Sequence, residues 1–268
     1  MNQIIYICRY QLHGQLANDP MNNTLCATIE AGKKAGKRFF CWLIDPDKYL
    51  EEDLYRNLKM ANEGNVDFIF LGGSLLMTDR VESCIQFIKA YSSIPVILFP
   101  GSSLQYNDKA DGMLFLSLIS GRNPDLLIGR HVEIAPILKK SNLEVLPTGY
   151  MLIDGGKTTT ASYISNTFPI PYHKTEIAVS TAIAGELMGL RFIYMDCGSG
   201  ADQAIPTEMI EAVSKNIDVP LIVGGGISSK DGMNQAYESG ADLVVVGNAI
   251  EKDHSLLTEL VNKEHSWQ

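Results

Sequence analysis

Eight short runs of β-branched, aromatic and aliphatic residues recur along this chain, and that repetition constrains its fold more than any other feature. They are FFCWLID (39–45), DFIFLGG (67–73), PVILFPG (95–101), GMLFLSLI (112–119), EVLPTGYMLID (144–154), RFIYMDC (191–197), PLIVGGG (220–226) and DLVVVGN (242–248). Nearly continuous apolar character is what a strand needs when both of its faces are covered. Between most of the runs lie segments with helical spacing, such as EEDLYRNLKMANEG and PTEMIEAVSKN. Strand and helix in alternation imply parallel strands joined by right-handed crossovers. Eight such units suit closure into a (β/α)8 TIM barrel of the α/β class, with functional groups at the C-terminal strand ends. An open doubly wound sheet is the competing arrangement.

Two intervals depart from the pattern. Only SSLQYNDKAD (102–111) separates the third run from the fourth, too little for a crossover helix of ordinary length. A barrel without its third helix, and with an open groove in its place, is the expectation. Conversely, the stretch from Ile153 to Arg191 is long. It reads as a loop followed by the fifth helix, and the loop suits either a lid or an ordinary excursion. Residues 21–268 are expected to form one barrel domain with an N-terminal helix. Residues 1–20 are set apart as an N-terminal tail, either disordered or the product of an over-extended start.

With 268 residues, 46% of them hydrophobic, the chain has ample material for one such core. A formal net charge of -9 offers no basic stripe for a phosphate backbone, so nucleic acid is not an expected partner. An acidic protein binds an anionic metabolite through local backbone N–H groups, a few cations or a metal. Five scattered cysteines without a CxxC pair suggest reduced thiols and a cytoplasmic protein. The partly apolar start is interrupted by Arg9 and resembles no signal peptide. No spanning segment is evident.

The glycine loops show where an anion would sit. GGGISS (224–229) and GNAIE (247–251) each end a strand and open a helical segment. They place backbone donors and helix N-termini after strands seven and eight, where barrels commonly bind phosphate. Ser228 with Asp231 matches a capping-box spacing. CGSGAD (197–202) adds a third loop, with Ser199 as a hydroxyl donor. Tight strand-to-helix turns would use glycine for the same conformational reason.

Carboxylates stand at two strand ends. Asp45 closes the first run, and Pro46 restricts its backbone to an extended form. It suits either a turn cap or Mg2+, which takes one or two protein carboxylates plus substrate phosphate oxygens. Ser74 after the second strand is open to a contact with that ion or to helix capping. Tyr194 and Asp196 alternate with Ile193 and Met195, so both point to one side of strand six. Asp196 is a candidate general base, with a structural ion pair as its other reading.

Taken in order, WLIDPDK, FIFLGGS, PVILFPGS, YMDCGSGA, IVGGGIS and VVVGNAIE resemble the geranylgeranylglyceryl phosphate synthase family, whose bacterial relatives include heptaprenylglyceryl phosphate synthase. The resemblance runs from about residue 24 to 252. It implies a modified barrel lacking the third helix and a Mg2+-dependent prenyltransferase. Such an enzyme joins sn-glycerol 1-phosphate to a polyprenyl diphosphate, geranylgeranyl by family default, making an ether bond with release of diphosphate for membrane lipid biosynthesis. By the same resemblance, Asp45 and Ser74 hold Mg2+. Glycerol phosphate lies along Tyr194, Met195, Asp196, Cys197, Gly198, Ser199 and Gly200, then on Gly225, Gly226, Gly247 and Asn248, with Asp196 and Tyr194 nearest the chemistry. A homo-oligomer and transient contact with a membrane surface are further implications.

The chain departs from the family in having Asp196 where Glu is usual, which sets the carboxylate about 1–1.5 Å back. His131 and Glu133 match a family pattern and are read as helix or rim residues. Lys157 in DGGKTTT is a candidate for the diphosphate, or simply part of a polar loop. The competing functions are a sugar-phosphate isomerase or lyase on a phosphate-binding barrel, and a non-catalytic metabolite-binding barrel.

Overall fold

A computed structural model describes residues 24–261. The expected tail at 1–20 lies outside the described residues. Eight parallel strands close into a barrel in sequence order, β1 (Phe39–Ile44), β2 (Phe68–Leu71), β3 (Val96–Leu98), β4 (Gly112–Leu118), β5 (Glu144–Leu152), β6 (Phe192–Asp196), β7 (Leu221–Gly224) and β8 (Leu243–Val246), with β8 pairing back to β1. Each strand falls within one of the apolar runs, and closure excludes the open sheet.

The alternation of side chains across each strand divides the core in two. Phe39, Cys41, Phe68, Phe70, Ile97 and Phe192 fill the barrel interior, while their neighbours Phe40, Trp42, Ile69 and Ile193 face the helices. Because both sets are buried, the strands read as continuous apolar runs. Helix α1 (Leu25–Lys34) closes the N-terminal end of the barrel. Its Cys26 and Ile29 join the interior cluster, and Glu144 accepts the N–H groups of Leu25 and Cys26. Gly32 packs so closely on Phe39 that a Cβ would stand 2.3 Å from the ring. Asp242, only 3% exposed, pairs with Lys33 and Arg38 at 2.8 and 2.9 Å and accepts the Leu221 N–H. This end is built for stability, leaving the opposite mouth for chemistry.

Helices α2 (Glu51–Glu63) and α3 (Val81–Tyr91) follow β1 and β2. After β3 there is only a single 3-10 turn at Ser103–Gln105, so the barrel lacks the third crossover helix as expected. Helix α4 (Arg130–Leu138) follows β4. The long interval after β5 holds two helices rather than one, α5 (Thr160–Ser165) and α6 (Thr175–Leu187), and its loop is tied back by a bridge between Ile153 and Ile170. Helices α7 (Thr207–Ser214), α8 (Lys230–Glu238), α9 (Asn248–Lys252) and α10 (Ser255–Val261) complete the ring. The four described cysteines are buried and free. No described helix is long and apolar enough to cross a membrane.

Candidate active site

The C-terminal strand ends surround a cavity of about 530 Å3. Three glycine loops form one wall. Gly198 and Gly200 after β6, and Gly225 and Gly226 after β7, all have φ between +73° and +83°, a region that side-chain-bearing residues rarely enter. Space imposes the same restriction: a Cβ on Gly225 would stand 2.5 Å from Asp196 Oδ1 and 2.7 Å from Cys197 N. Gly247 precedes α9, and Asn248 opens it. These glycines, with Ser199 and Asn248, all line the cavity.

Two sequence expectations need correction here. Met195 and Cys197 do not line the cavity, because strand alternation sends their side chains outward into the layer beneath the helices. Only backbone is available from them. The cap of α8 is Ser229, which accepts the Gly232 N–H, so Ser228 is free to line the cavity instead.

Asp196 is 7% exposed and is held at both oxygens. The Tyr150 hydroxyl donates to Oδ2 at 2.6 Å, and the Gly198 N–H donates to Oδ1 at 2.7 Å. Burial raises its pKa above the usual carboxylate value, against the lowering effect of those two donors. Tyr150 is pushed well above its ordinary range, by burial first and the neighbouring carboxylate next, so it remains a donor at neutral pH. Tyr194 stacks on Phe99 with centroids 5.2 Å apart and meets Tyr150 edge-on at 5.5 Å. Tyr150 and Phe99 were not singled out from the sequence. The signal for Tyr150 was present, since it pairs in register with Tyr194 and therefore shares its inward parity.

Asp45 and Ser74 line the same cavity. Asp45 Oδ1 accepts the Asp47 N–H at 3.0 Å, and Oδ2 lies 2.8 Å from Lys48 Nζ. Asp47 is instead spent on loop structure, accepting from Met77 and Thr78. The Ser74 loop is fixed from the 3-10 turn: Gln105, 6% exposed, donates to the Gly73 carbonyl at 2.8 Å and accepts the Gly101 N–H at 3.2 Å. Among the described residues no three His, Cys, Asp or Glu side chains gather at metal-binding distance. One carboxylate and one hydroxyl fit a hard cation that takes its other ligands from phosphate and water.

Away from these polar walls the cavity turns apolar, along Met113, Phe115, Leu118, Leu126, Ile134 and Ile164, beside the place a third helix would cover. His131 lies within this groove, edge-on to Phe115 at 4.5 Å and 3.2 Å from Ser117 Oγ. Its pKa is lowered by burial. Glu133 is exposed and pairs with Arg130. Lys157 does not line the cavity; it pairs with Asp202 at 2.7 Å, while Thr159 caps α5.

Comparison with known proteins agrees with this geometry. The model of the PcrB family matches residues 33–264. This chain belongs to the PcrB family. Among relatives, geranylgeranylglyceryl phosphate synthase of Chitinophaga pinensis is 48% identical over 92% of this chain and 98% of its own length. That of Spirosoma linguale is 50% identical over 85% and 92%. The crystal structure of (S)-3-O-geranylgeranylglyceryl phosphate synthase from Thermoplasma acidophilum, in complex with sn-glycerol-1-phosphate, has a TM-score of 0.83 at 30% identity, covering 89% of this chain and 97% of that one. A tryptophan synthase α-subunit from Pyrococcus furiosus, at 13% identity and TM-score 0.54, shares the barrel alone.

Proposed function

We propose that this chain joins sn-glycerol 1-phosphate to a polyprenyl diphosphate, forming an ether bond and releasing diphosphate, as a step of membrane lipid synthesis. The observation that carries the reading is one cavity that connects a glycine-built wall and a buried carboxylate to an open apolar groove. An isomerase or lyase acting on a small sugar phosphate has no use for that groove. The family's members, named for the geranylgeranyl reaction, favour a geranylgeranyl donor, with the chain lying over Phe115 and Ile134.

In this reading the Gly198, Gly200, Gly225 and Gly226 loops and Asn248 hold the phosphate of glycerol phosphate through backbone and amide donors. That anchor fixes the C3 hydroxyl near Asp196, and positioning supplies a large share of the catalysis. Asp196 takes the hydroxyl proton on a free lone pair, while Tyr150 and Gly198 keep the shortened side chain aimed. Tyr194 walls the reaction off from the barrel interior. Asp45 and Ser74 would hold Mg2+, which would neutralise the departing diphosphate.

Labelled glycerol 1-phosphate incubated with prenyl diphosphates of several lengths and Mg2+ should yield lipid-soluble label, and glycerol 3-phosphate should yield much less. Folded protein that forms no lipid product with any donor would sink the proposal in favour of a non-catalytic or sugar-phosphate barrel. Light scattering on the same preparation should show a homo-oligomer.

A further inference from the structure

The DPDK segment contains a lysine to which the proposed reaction assigns no task. Lys48 Nζ lies 2.8 Å from Asp45 Oδ2 and 3.3 Å from Glu251 Oε2, and all three side chains line the cavity. The Asp45 oxygen it covers is the one not already taken by the Asp47 N–H. A divalent cation that approaches Asp45 Oδ2 from within the cavity therefore competes with this ammonium for that oxygen. The lysine side chain is about half exposed, whereas Asp45 and Glu251 are 15% and 20% exposed, so the cation is the movable partner between two better-held carboxylates. An ammonium on a four-carbon stem is suited to such exchange.

We propose that Lys48 is a placeholder cation: it neutralises Asp45 while no metal is bound, then withdraws toward Glu251 and onto a diphosphate oxygen when a divalent ion takes Asp45. Glu251 is the positioning residue that keeps it within reach. The proposal rests on the prenyl-transfer reading above, and it gives this chain's own groups a means of following charge onto the leaving group. A purely structural bridge between the loop after β1 and α9 would instead be left in place when the metal arrives.

The test is Mn2+ binding to the full chain, followed by electron paramagnetic resonance, alone and with inorganic diphosphate. Lys48→Met should tighten Mn2+ alone by about threefold, because a competing surface-type ion pair is gone. The same variant should weaken Mn2+ with diphosphate by about tenfold or more, because a charge-assisted hydrogen bond is lost. Glu251→Gln should weaken Mn2+ alone by about two- to threefold, since a negative charge is removed and Lys48 is left to Asp45. Opposite signs for the two Lys48→Met titrations support the placeholder. Equal affinities, or shifts of the same sign, overturn it while leaving the prenyl-transfer reading intact. Wild-type protein that binds no Mn2+ even with diphosphate overturns this proposal and the metal part of that reading together.

Discussion

Replacing Tyr150 by Phe isolates one hydrogen bond at the candidate base. The ring remains to pack against Phe99 and Tyr194, at centroid distances of 6.0 and 5.5 Å, so the change removes only the hydroxyl 2.6 Å from Asp196 Oδ2. In the variant, the carboxylate keeps only the Gly198 N–H while remaining 7% exposed. A hydrogen bond to a charged group is worth about 1.5–3 kcal/mol, a factor of about 10–100 in the balance between carboxylate and carboxylic acid. That bond opposes the upward shift caused by burial, so its loss moves the acidic limb of the pH–rate profile to higher pH. Rapid-quench single turnovers from pH 5 to pH 9 read this directly. On the acidic limb of the profile the rate should fall by up to about 10–100-fold, and alkaline pH should restore much of it. Glycerol phosphate affinity, measured by calorimetry, should stay within about twofold. A uniform fall in rate with an unmoved profile would refute the idea that Tyr150 keeps Asp196 ionised and would leave the tyrosine a packing residue.

Asp45→Ala should abolish metal-dependent turnover while sparing glycerol phosphate binding; unchanged activity would remove Asp45 from the site. Gly225→Ala forces a Cβ to 2.5 Å from Asp196 Oδ1 at a φ of +79°, and should weaken glycerol phosphate by about tenfold or more while costing about 1–2 kcal/mol of stability, seen in urea melts. Ile134→Trp should obstruct the groove, raising KM at least about tenfold for the longest accepted donor and leaving that for glycerol phosphate unchanged. Asp196→Asn should bind both substrates and lose the chemical step. Because burial raises the Asp196 pKa above 3.8, the wild type binds more protons folded than unfolded, and this contribution to stability is lost as pH rises through the folded value. Asp196→Asn should therefore compare most favourably in urea melts at neutral pH, with the gap closing toward pH 4.

The barrel was legible because its strands are covered twice: FFCWLID and DLVVVGN alternate between interior and helix-facing side chains, and neither half is polar. The absent third helix was legible from length alone, since about ten residues leave no room for a crossover helix of ordinary length, and the parallel connection from β3 to β4 is made by a loop with one 3-10 turn. Side-chain partners were not legible. Nothing local in LIDPDK says that Lys48 meets Glu251, 203 positions away, and nothing near YMDCGSG names Tyr150 as the donor to Asp196, because β5 supplies it through strand pairing. The motif alone did not say that Met195 and Cys197 offer only backbone to the cavity, because a strand turns every second side chain away. Gln105 escaped notice because a buried amide bracing two loops looks, in sequence, like any polar turn residue.

The two strand-end carboxylates are set apart by the kind of partner each receives, and this separation supports the different roles proposed for them. Asp45 faces a full cation, Lys48, at 2.8 Å, in a part of the mouth where charge of either sign is plentiful. Asp196 faces only neutral donors, a phenol and a peptide N–H, among aromatic rings. A carboxylate that must stay ionised is well served by the first setting and poorly by the second. A group that must accept a proton and later release it is served by the reverse, because neutral donors aim a carboxylate without locking it to a counter-ion. Exchanging the settings should therefore do more harm than removing either group's neighbours singly. A lysine introduced beside Asp196, as in Gly198→Lys, would pin the base in its ionised form even if the loop accommodated it, and excess Mg2+ would not recover the rate.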